Sequence, residues 1–529
     1  MKLNYKRVIF VGFAFFLITA FWQAYDTIVP KILTDKFGLA QTWSGAIMAL
    51  DNVFALLLLP LFGALSDKVH GRYGRRTPFI VIGTICAAVL LVSLSVADSA
   101  QLKKIEAVSG TQGEAYTESL EVLWDANPAV ADFTSDDLVQ EKRPLQSLIA
   151  REDFTAIPMT VLDDKGEDIT NPVYSNIVVP ARQAYAASVT DADPSSLIVF
   201  MVLLLFALIA MGTFRSPAVA LMPDVTIKPL RSKANAVINL MGTAGGILVL
   251  LLGILFGTGE AQNALMNYTV FFSVVAAIML VGLAIFLFKV REPRWAAEME
   301  AESARLGIDK EENEKDNAPV RMLTRGEKLS LLLILVSVVF WFMGYNAVTS
   351  KYSVYASTVL NVDYNTTLLI AQGAAIAAYL PVGLLSAKLG RKKMILGGVV
   401  ILCASFFFAS FLSADSPEAV KQILMPLLFA TAGIGWATIN VNSYPMVVEL
   451  SRGGNVGKYT GFYYTASMAA QVVTPILSGL FLDYVSWRTL FPYAAIFVAL
   501  AFLTMFFVRH GDAKPEAMAT VLDGVGGAD

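Results

Sequence analysis

Three ionisable residues stand where apolar sequence surrounds them: Asp26, Asp51 and Arg215 each fall inside a long hydrophobic stretch. A charge at the centre of a bilayer costs about 3 kcal/mol or more unless it is paired or hydrated, so such residues are candidates for function. Asp51 is followed by Asn52. Burial disfavours the charged form of a carboxyl, so Asp51 could carry a transported proton. It could instead ligate sodium, or hydrogen-bond a neighbouring helix. Asp26 closes the run Trp22-Gln23-Ala24-Tyr25-Asp26. A carboxylate beside aromatic rings suits a sugar: hydroxyl pairs form forked hydrogen bonds while the less polar ring face stacks on Trp or Tyr. An interfacial aromatic belt would use the same residues. Arg215 could neutralise a carboxylate, bind an anionic substrate, or snorkel to a membrane surface.

Amides extend the pattern. Asn346, Gln372 and Asn440 lie in later apolar stretches, with Asn442 and Gln471 nearby. Facing a polar cavity they suit a neutral hydroxylated substrate; facing each other they hold membrane helices together. Other chemistries lack parts. The two histidines, His70 and His510, have no triad partner, and Cys86 and Cys403 lie in apolar runs, which offers no disulfide framework or Cys-rich metal site. The segment Gly453 to Tyr459 resembles a phosphate loop, but its spacing is one residue short and Tyr follows Lys458. An enzyme is not expected, and neither is a cofactor; the coupling ion would be a proton, or sodium.

The elements that must position these residues follow from composition. The 529 residues are 56% apolar and only 16% charged, with a mean hydropathy of +0.60. A soluble domain carries nearer ~25% charge. The balance of 40 Lys+Arg against 43 Asp+Glu also excludes a strongly basic nucleic-acid binder. Apolar stretches fall at 8–30, 43–65, 77–97, 197–222, 234–257, 268–289, 329–349, 366–387, 394–413, 422–447, 460–482 and 489–508. Each is close to the ~20 residues that a spanning helix needs. The first follows Lys2, Lys6 and Arg7 but lacks a small-residue cleavage site, and reads as a retained helix.

One set of short loops holds about thirteen Lys and Arg; the opposite set holds about five: Lys31, Lys36, Lys351, Lys421 and Arg488. The positive-inside rule then places both termini in the cytoplasm of a multi-pass protein of the cell membrane, read as a bacterial inner membrane. The organisation expected is a first six-helix bundle over 1–97 and 195–289 and an acidic extracytoplasmic insert over 98–194. A cytoplasmic linker over 290–328, a second bundle over 329–509 and a tail over 510–529 follow. The insert carries 18 acids against seven bases, yet its apolar clusters favour a small ordered cap over disorder. Its acidic run lacks calcium-loop spacing.

At an offset of about 320 residues the halves match. Gly63-Ala64-Leu65-Ser66 meets Gly383-Leu384-Leu385-Ser386, Tyr25-Asp26 meets Tyr345-Asn346, and Lys31 meets Lys351. Duplicated bundles of this kind are associated with secondary transporters, with the binding site between the halves near mid-membrane.

The segment Gly63-Ala64-Leu65-Ser66-Asp67-Lys68-Val69-His70-Gly71-Arg72-Tyr73-Gly74-Arg75-Arg76-Thr77-Pro78-Phe79-Ile80 resembles the cytoplasmic loop signature of the major facilitator superfamily. Its extended form resembles that of the sucrose/proton symporters and the glycoside–pentoside–hexuronide:cation symporters. The run Pro217 to Asp224 followed by Arg231 and Ala234-Asn235-Ala236 is similar to the same group. The resemblance implies an all-α membrane protein of twelve helices in two pseudo-symmetric six-helix bundles. It also implies a cytoplasmic gate around Gly63, Asp67, Arg75, Arg76, Asp224 and Arg231. Where sucrose symporters carry an acid in the fourth helix this chain has Ala207, so coupling is expected at Asp51 or Asp26. The candidate substrate contacts are Asp26, Trp22, Tyr25, Asn52, Arg215, Asn346, Gln372 and Asn440.

The function expected is proton-coupled import of a disaccharide or related glycoside by a monomer in the lipid bilayer. The small molecule would be a neutral sugar, without nucleic acid as a partner. An exporter of drugs or metabolites and a non-transporting sugar sensor are the alternatives on the same fold.

Overall fold

The structure, a computed structural model, describes residues 3–69, 71–131, 141–162, 166, 168–227, 230–306, 323–450 and 456–511. Readings that fall on His70, the acidic run at 163–165 and 167, Lys228, the loop at 451–455, linker residues 307–322 and tail residues 512–529 lie outside the described residues.

Among the described residues twelve long helices carry the fold: α1 (Tyr5–Lys36), α2 (Gln41–Lys68), α3 (Thr77–Lys104), α4 (Ser195–Val225), α5 (Arg231–Leu255), α6 (Thr269–Lys289), α7 (Arg325–Leu360), α8 (Tyr364–Leu389), α9 (Arg391–Ala409), α10 (Glu418–Glu449), α11 (Val456–Tyr484) and α12 (Leu490–Phe506). Eleven are long and apolar enough to cross a membrane, and α8, of 26 residues, packs among them against α5 and α10. The helices build two separate apolar cores. One is formed by α1–α6 around residues such as Phe21, Leu91, Phe214 and Phe272; the other is formed by α7–α12 around Trp341, Tyr352, Leu402 and Phe491. The outer faces remain apolar: Leu57, Phe288 and Ile423 are all more than 60% exposed. A soluble protein would not display so continuous an apolar surface; lipid accepts it.

Two helices outrun their apolar stretches. Helices α1 and α7 continue to Lys36 and Leu360, each ending in a wider π-type turn, Ile32–Lys36 and Ala356–Leu360. The expected loop bases Lys31, Lys36, Lys351 and Lys421 are therefore not in loops; all four are buried. Each has found partners that offset its desolvation. The Lys36 ammonium pairs with Asp98 at 2.7 Å and donates to the Met266 carbonyl, while Lys421 pairs with Glu418 at 2.6 Å. Lys31 donates to Ser357 and lies 3.4 Å from Asp35. Asp98, expected to begin the insert, lies inside α3, which runs on to Lys104.

Between α3 and α4 the chain forms short helices and two small antiparallel sheets, β1 (Ala129–Ala131) with β2 (Lys142–Pro144) and β3 (Thr160–Leu162) with β4 (Asp168–Thr170). Its own core gathers Leu120, Leu123, Phe154, Tyr174 and Val178. The buried Arg182 donates to the Tyr174 hydroxyl and the Gly110 carbonyl. This insert marks one end of the molecule, and the helix Glu292–Leu306 that follows α6 marks the other, the linker end. The insert reaches both bundles. Gln183 donates to Asp35 of α1, and Asn361, between α7 and α8, donates to the Thr170 carbonyl and accepts from Ser175.

Candidate functional site

A cavity of about 440 Å³ lies between the two bundles, lined by α1, α2, α5, α7, α8, α9, α10 and α11. Helix α1 contributes Thr19, Gln23, Asp26 and Thr27, and α2 contributes Asp51 and Asn52. Asp26 is exposed to this space and Asp51 is half-buried at its edge. Helix α2 runs through Ala49 with helical backbone angles, the Ala49 N–H bonded to the Gly45 carbonyl and the Val53 N–H to the Ala49 carbonyl, so Asp51 sits inside the helix and not at an end of it. Asn52 donates to Asp51 Oδ1 from both its backbone N–H and its side-chain amide, each at 2.6 Å.

The opposite wall is neutral. Tyr345 and Trp436 lie parallel, ring centroids 3.7 Å apart with planes 3° from coincident, and both line the cavity. Asn346, Gln372, Tyr379 and Gln471 surround them. The Gln372 amide donates to Gln23 across the interface at 2.9 Å. The Asn346 Nδ2 is buried and has no hydrogen-bond partner among the described residues.

The duplication noted in the sequence meets here. Asp26 faces Asn346 as its counterpart, and by the same offset Asp51 corresponds to Ala371 and Asn52 to Gln372, all six lining one cavity. The structure thus brings together Asp26, Asp51, Asn52, Asn346 and Gln372. It does not bring Trp22, Tyr25, Arg215 or Asn440 to the cavity wall. Tyr25 is one residue, about 100° of helix, from Asp26 and is turned into the core, 1% exposed, stacked on Phe21. Trp22 lies one turn towards the linker end, edge-on to Tyr25, with the Arg215 guanidinium 5.6 Å above its ring. Arg215 remains close enough for its charge to act on Asp26 and Asp51, so its influence on the cavity is electrostatic. The aromatic surface expected beside Asp26 comes instead from Trp436 and Tyr345 of the other bundle. Only their place in the fold distinguishes these two from the chain's many aromatic residues.

At the linker end the loop between α2 and α3 forms a second cluster. Arg76 bridges Asp67 at 2.5 Å and Asp224 at 2.8 Å and donates to Ser66, while Arg75 lies 3.5 Å from Asp224. Burial works against its charge, yet these carboxylates hold the Arg76 guanidinium above its usual pKa. The loop closes through Gly74, whose φ of +101° a side chain would resist. Glu292, from the linker helix, fills the space beside it and caps α3, accepting from the backbone N–H groups of Arg75, Arg76 and Thr77 and from the Thr77 hydroxyl. Sequence reasoning missed Glu292. Arg231, expected in the ion-pair cluster, donates instead to the carbonyls of Pro223 and Thr226, closing the end of α4. Gly63 packs under Ser216 and offers its carbonyl to Arg76.

Comparison with known proteins agrees with this architecture. The Major Facilitator Superfamily model matches residues 183–379 and 362–521, and the model for MFS/sugar transport proteins matches residues 10–101. An uncharacterised MFS-type transporter of Mycobacterium tuberculosis is 28% identical over 123 residues, 23% of this chain and 17% of its own length. Solute carrier family 45 member 3 of Mus musculus is 39% identical over 54 residues, 10% of each chain. The alignments thus span less than a fifth of the curated relatives. Among solved structures, the inward-open xylose transporter XylE from E. coli is similar with a TM-score of 0.58 and 14% identity over 99% of both chains. A D-xylose-proton symporter is similar with a TM-score of 0.53 and 16% identity, over 96% of this chain and 98% of its own. At such identities the likeness is one of fold. With two six-helix bundles enclosing a central cavity and family matches covering most of its length, the chain belongs to the major facilitator superfamily.

Proposed function

We propose that this chain imports a neutral sugar, a disaccharide or related glycoside, together with a proton, by alternating exposure of the central cavity. The observation that carries the reading is the division of that cavity into a wall with two carboxylates and a wall with a stacked Trp–Tyr pair and amides. Sugars are bound well by such a mixture: carboxylates and amides satisfy paired hydroxyls, and an aromatic face accepts the C–H side of a pyranose ring. The xylose transporter and the D-xylose-proton symporter among the similar structures, and the sugar-transport family match, favour the same substrate class.

Asp51 is the preferred proton carrier, with Asp26 as its partner. The two carboxylates line one cavity and the charge of Arg215, behind its wall, acts on both, so protonating one of them balances the group's charge. The positive-inside rule puts the linker end in the cytoplasm, and the burial of Lys31, Lys36, Lys351 and Lys421 sharpens that asymmetry, because these lysines are no longer loop charges. The cluster of Asp67, Arg76, Asp224 and Glu292 then lies on the cytoplasmic side and ties α2, α3, α4 and the linker helix into one unit that can move as a body.

The test is sugar-driven alkalinisation of the medium by cells or vesicles that contain the protein. Uptake of a disaccharide with a matching proton flux is expected; sugar accumulation that ignores the pH gradient would reject the coupling. Export of lipophilic cations with no response to any sugar would reject the importer altogether.

A further inference from the structure

Helix α2 begins without a cap of its own. The residue before it is Ala40, whose methyl group can accept nothing, so the first N–H groups of the helix need an acceptor from elsewhere. Asp483, at the far end of α11 in the other bundle, supplies it. One carboxylate oxygen accepts from Gln41 N–H at 2.9 Å; the other accepts from Thr42 N–H at 2.7 Å and from the Thr42 hydroxyl at 2.6 Å. Helix α7 adds Lys351, buried, whose ammonium donates to the Gln41 carbonyl. Below this point α2 and α11 touch backbone to backbone. A methyl group added at Gly45 would meet the Pro475 carbonyl, and one added at Gly479 would meet the Gln41 carbonyl.

We propose that Asp483 is the latch of the insert-end gate, holding it shut by capping α2 from the opposite bundle. The geometry makes the contact specific to one state. The carboxylate sits on one bundle and the helix terminus on the other, so parting them breaks three hydrogen bonds together and returns both the acid and the helix end to water. An interaction present in only one of two conformations shifts the balance between them, whereas one present in both shifts nothing. Lys351 contributes to the same seam, and its counterpart Lys31 crosses it in the reverse direction, from α1 to Ser357 of α7. The insert-end seam is thus stitched from both sides by groups related through the internal duplication.

This inference rests on the alternating-access reading, and the experiment separates the two. Cys86 and Cys403 are replaced by Ser. Spin labels are then placed at Val96→Cys and Phe411→Cys, exposed positions at the insert end of the two bundles. A second pair goes to Tyr73→Cys and Phe507→Cys at the linker end. Distance distributions are measured in nanodiscs for the otherwise unchanged protein and for Asp483→Ala, Asp483→Asn and Thr42→Val. Asp483→Ala is expected to raise the ratio of insert-end-open to insert-end-closed molecules about tenfold, equivalent to about 1.4 kcal/mol. Asp483→Asn keeps one acceptor and the side-chain volume, and should raise it about threefold; Thr42→Val should act least. Should the alanine variant fail to fold, the isosteric asparagine carries the test. Distributions that stay at the unmutated ratio in all three variants, while the unmutated protein does visit both states, overturn the latch alone. A single fixed distance at both ends in every variant overturns alternating access and the latch with it.

Discussion

The two walls of the central cavity descend from the same duplicated pattern, yet they carry opposite chemistry. On the α1–α2 side the counterpart positions hold Asp26, Asp51 and Asn52; on the α7–α8 side they hold Asn346, Ala371 and Gln372. Acid has become amide at one pair and methyl at the next, while Trp436 and Tyr345 supply the neutral wall with an aromatic shelf. The difference teaches that corresponding positions of the two halves meet in one cavity with different side-chain chemistry, which the proposed function reads as a division of work. One bundle carries ionisable groups that can exchange a proton, and the other carries a surface suited to a neutral ring. The ends of the bundles differ in the same sense. The first is closed at the linker end by the ion pairs of Arg76 and the Glu292 cap, whereas in the second Lys392 donates to the carbonyls of Phe506 and Val508.

If that division is correct, substitutions on the two walls should fail differently. The largest effect is expected for Asp51→Asn: uptake driven by a pH gradient falls about 100-fold or more in vesicles, to the level of simple equilibration, while exchange of labelled for unlabelled sugar survives. Full uphill accumulation in that variant would move coupling away from Asp51. Trp436→Ala, on the neutral wall, should instead raise the apparent KM for sugar about tenfold, consistent with about 1–1.5 kcal/mol of lost aromatic contact, and leave the proton-to-sugar ratio unchanged.

A subtler alteration blurs the walls. Asn346→Asp gives the neutral side the acid of its counterpart, adding a negative charge to a cavity that already holds two carboxylates. The added negative charge disfavours the ionised form of the neighbouring carboxylates, which then hold a proton to higher pH, so the pH profile of uptake should move to higher pH, by about one unit. A profile that does not move would mean that Asn346 is electrostatically remote from the coupling site.

The smallest effects concern the ends. Glu292→Ala removes a buried cap that accepts four hydrogen bonds, and should lower stability by about 2 kcal/mol in a thermal or denaturant titration. Lys392→Ala, which removes a more exposed helix-end contact, should cost about 0.5 kcal/mol. Equal losses would erase the distinction between the two ends.

Much of this was legible in the residues. Asp26, Asp51, Asn52, Asn346 and Gln372 stand out because polar groups in apolar stretches are expensive, and all five line the cavity. Asp67 and Arg76 were legible from the loop motif, and they do pair. Arg231 was not, because its guanidinium serves carbonyls that no motif records. The lysines at 31, 36, 351 and 421 were misread as loop bases, since an isolated sequence does not show that Asp98, Ser357, Gln41 and Glu418 wait for them. Tyr25 was misplaced because a hydrophobic helix with two apolar faces does not say which one turns inward.

Composition and periodicity by themselves determined the twelve helices and their division into related sixes, because the cost of exposing a polar backbone to lipid leaves the chain little other choice. They also marked which residues are too costly to be there without a use. Only the tertiary structure decided which helices meet, and therefore that an acid on α11 caps α2, that Glu292 returns to cap α3, and that Trp436 lies on Tyr345 across from Asp26. Those pairings join residues from about ninety to more than four hundred positions apart. They depend on the packing angles and small-residue contacts between helices, which no local stretch of sequence specifies.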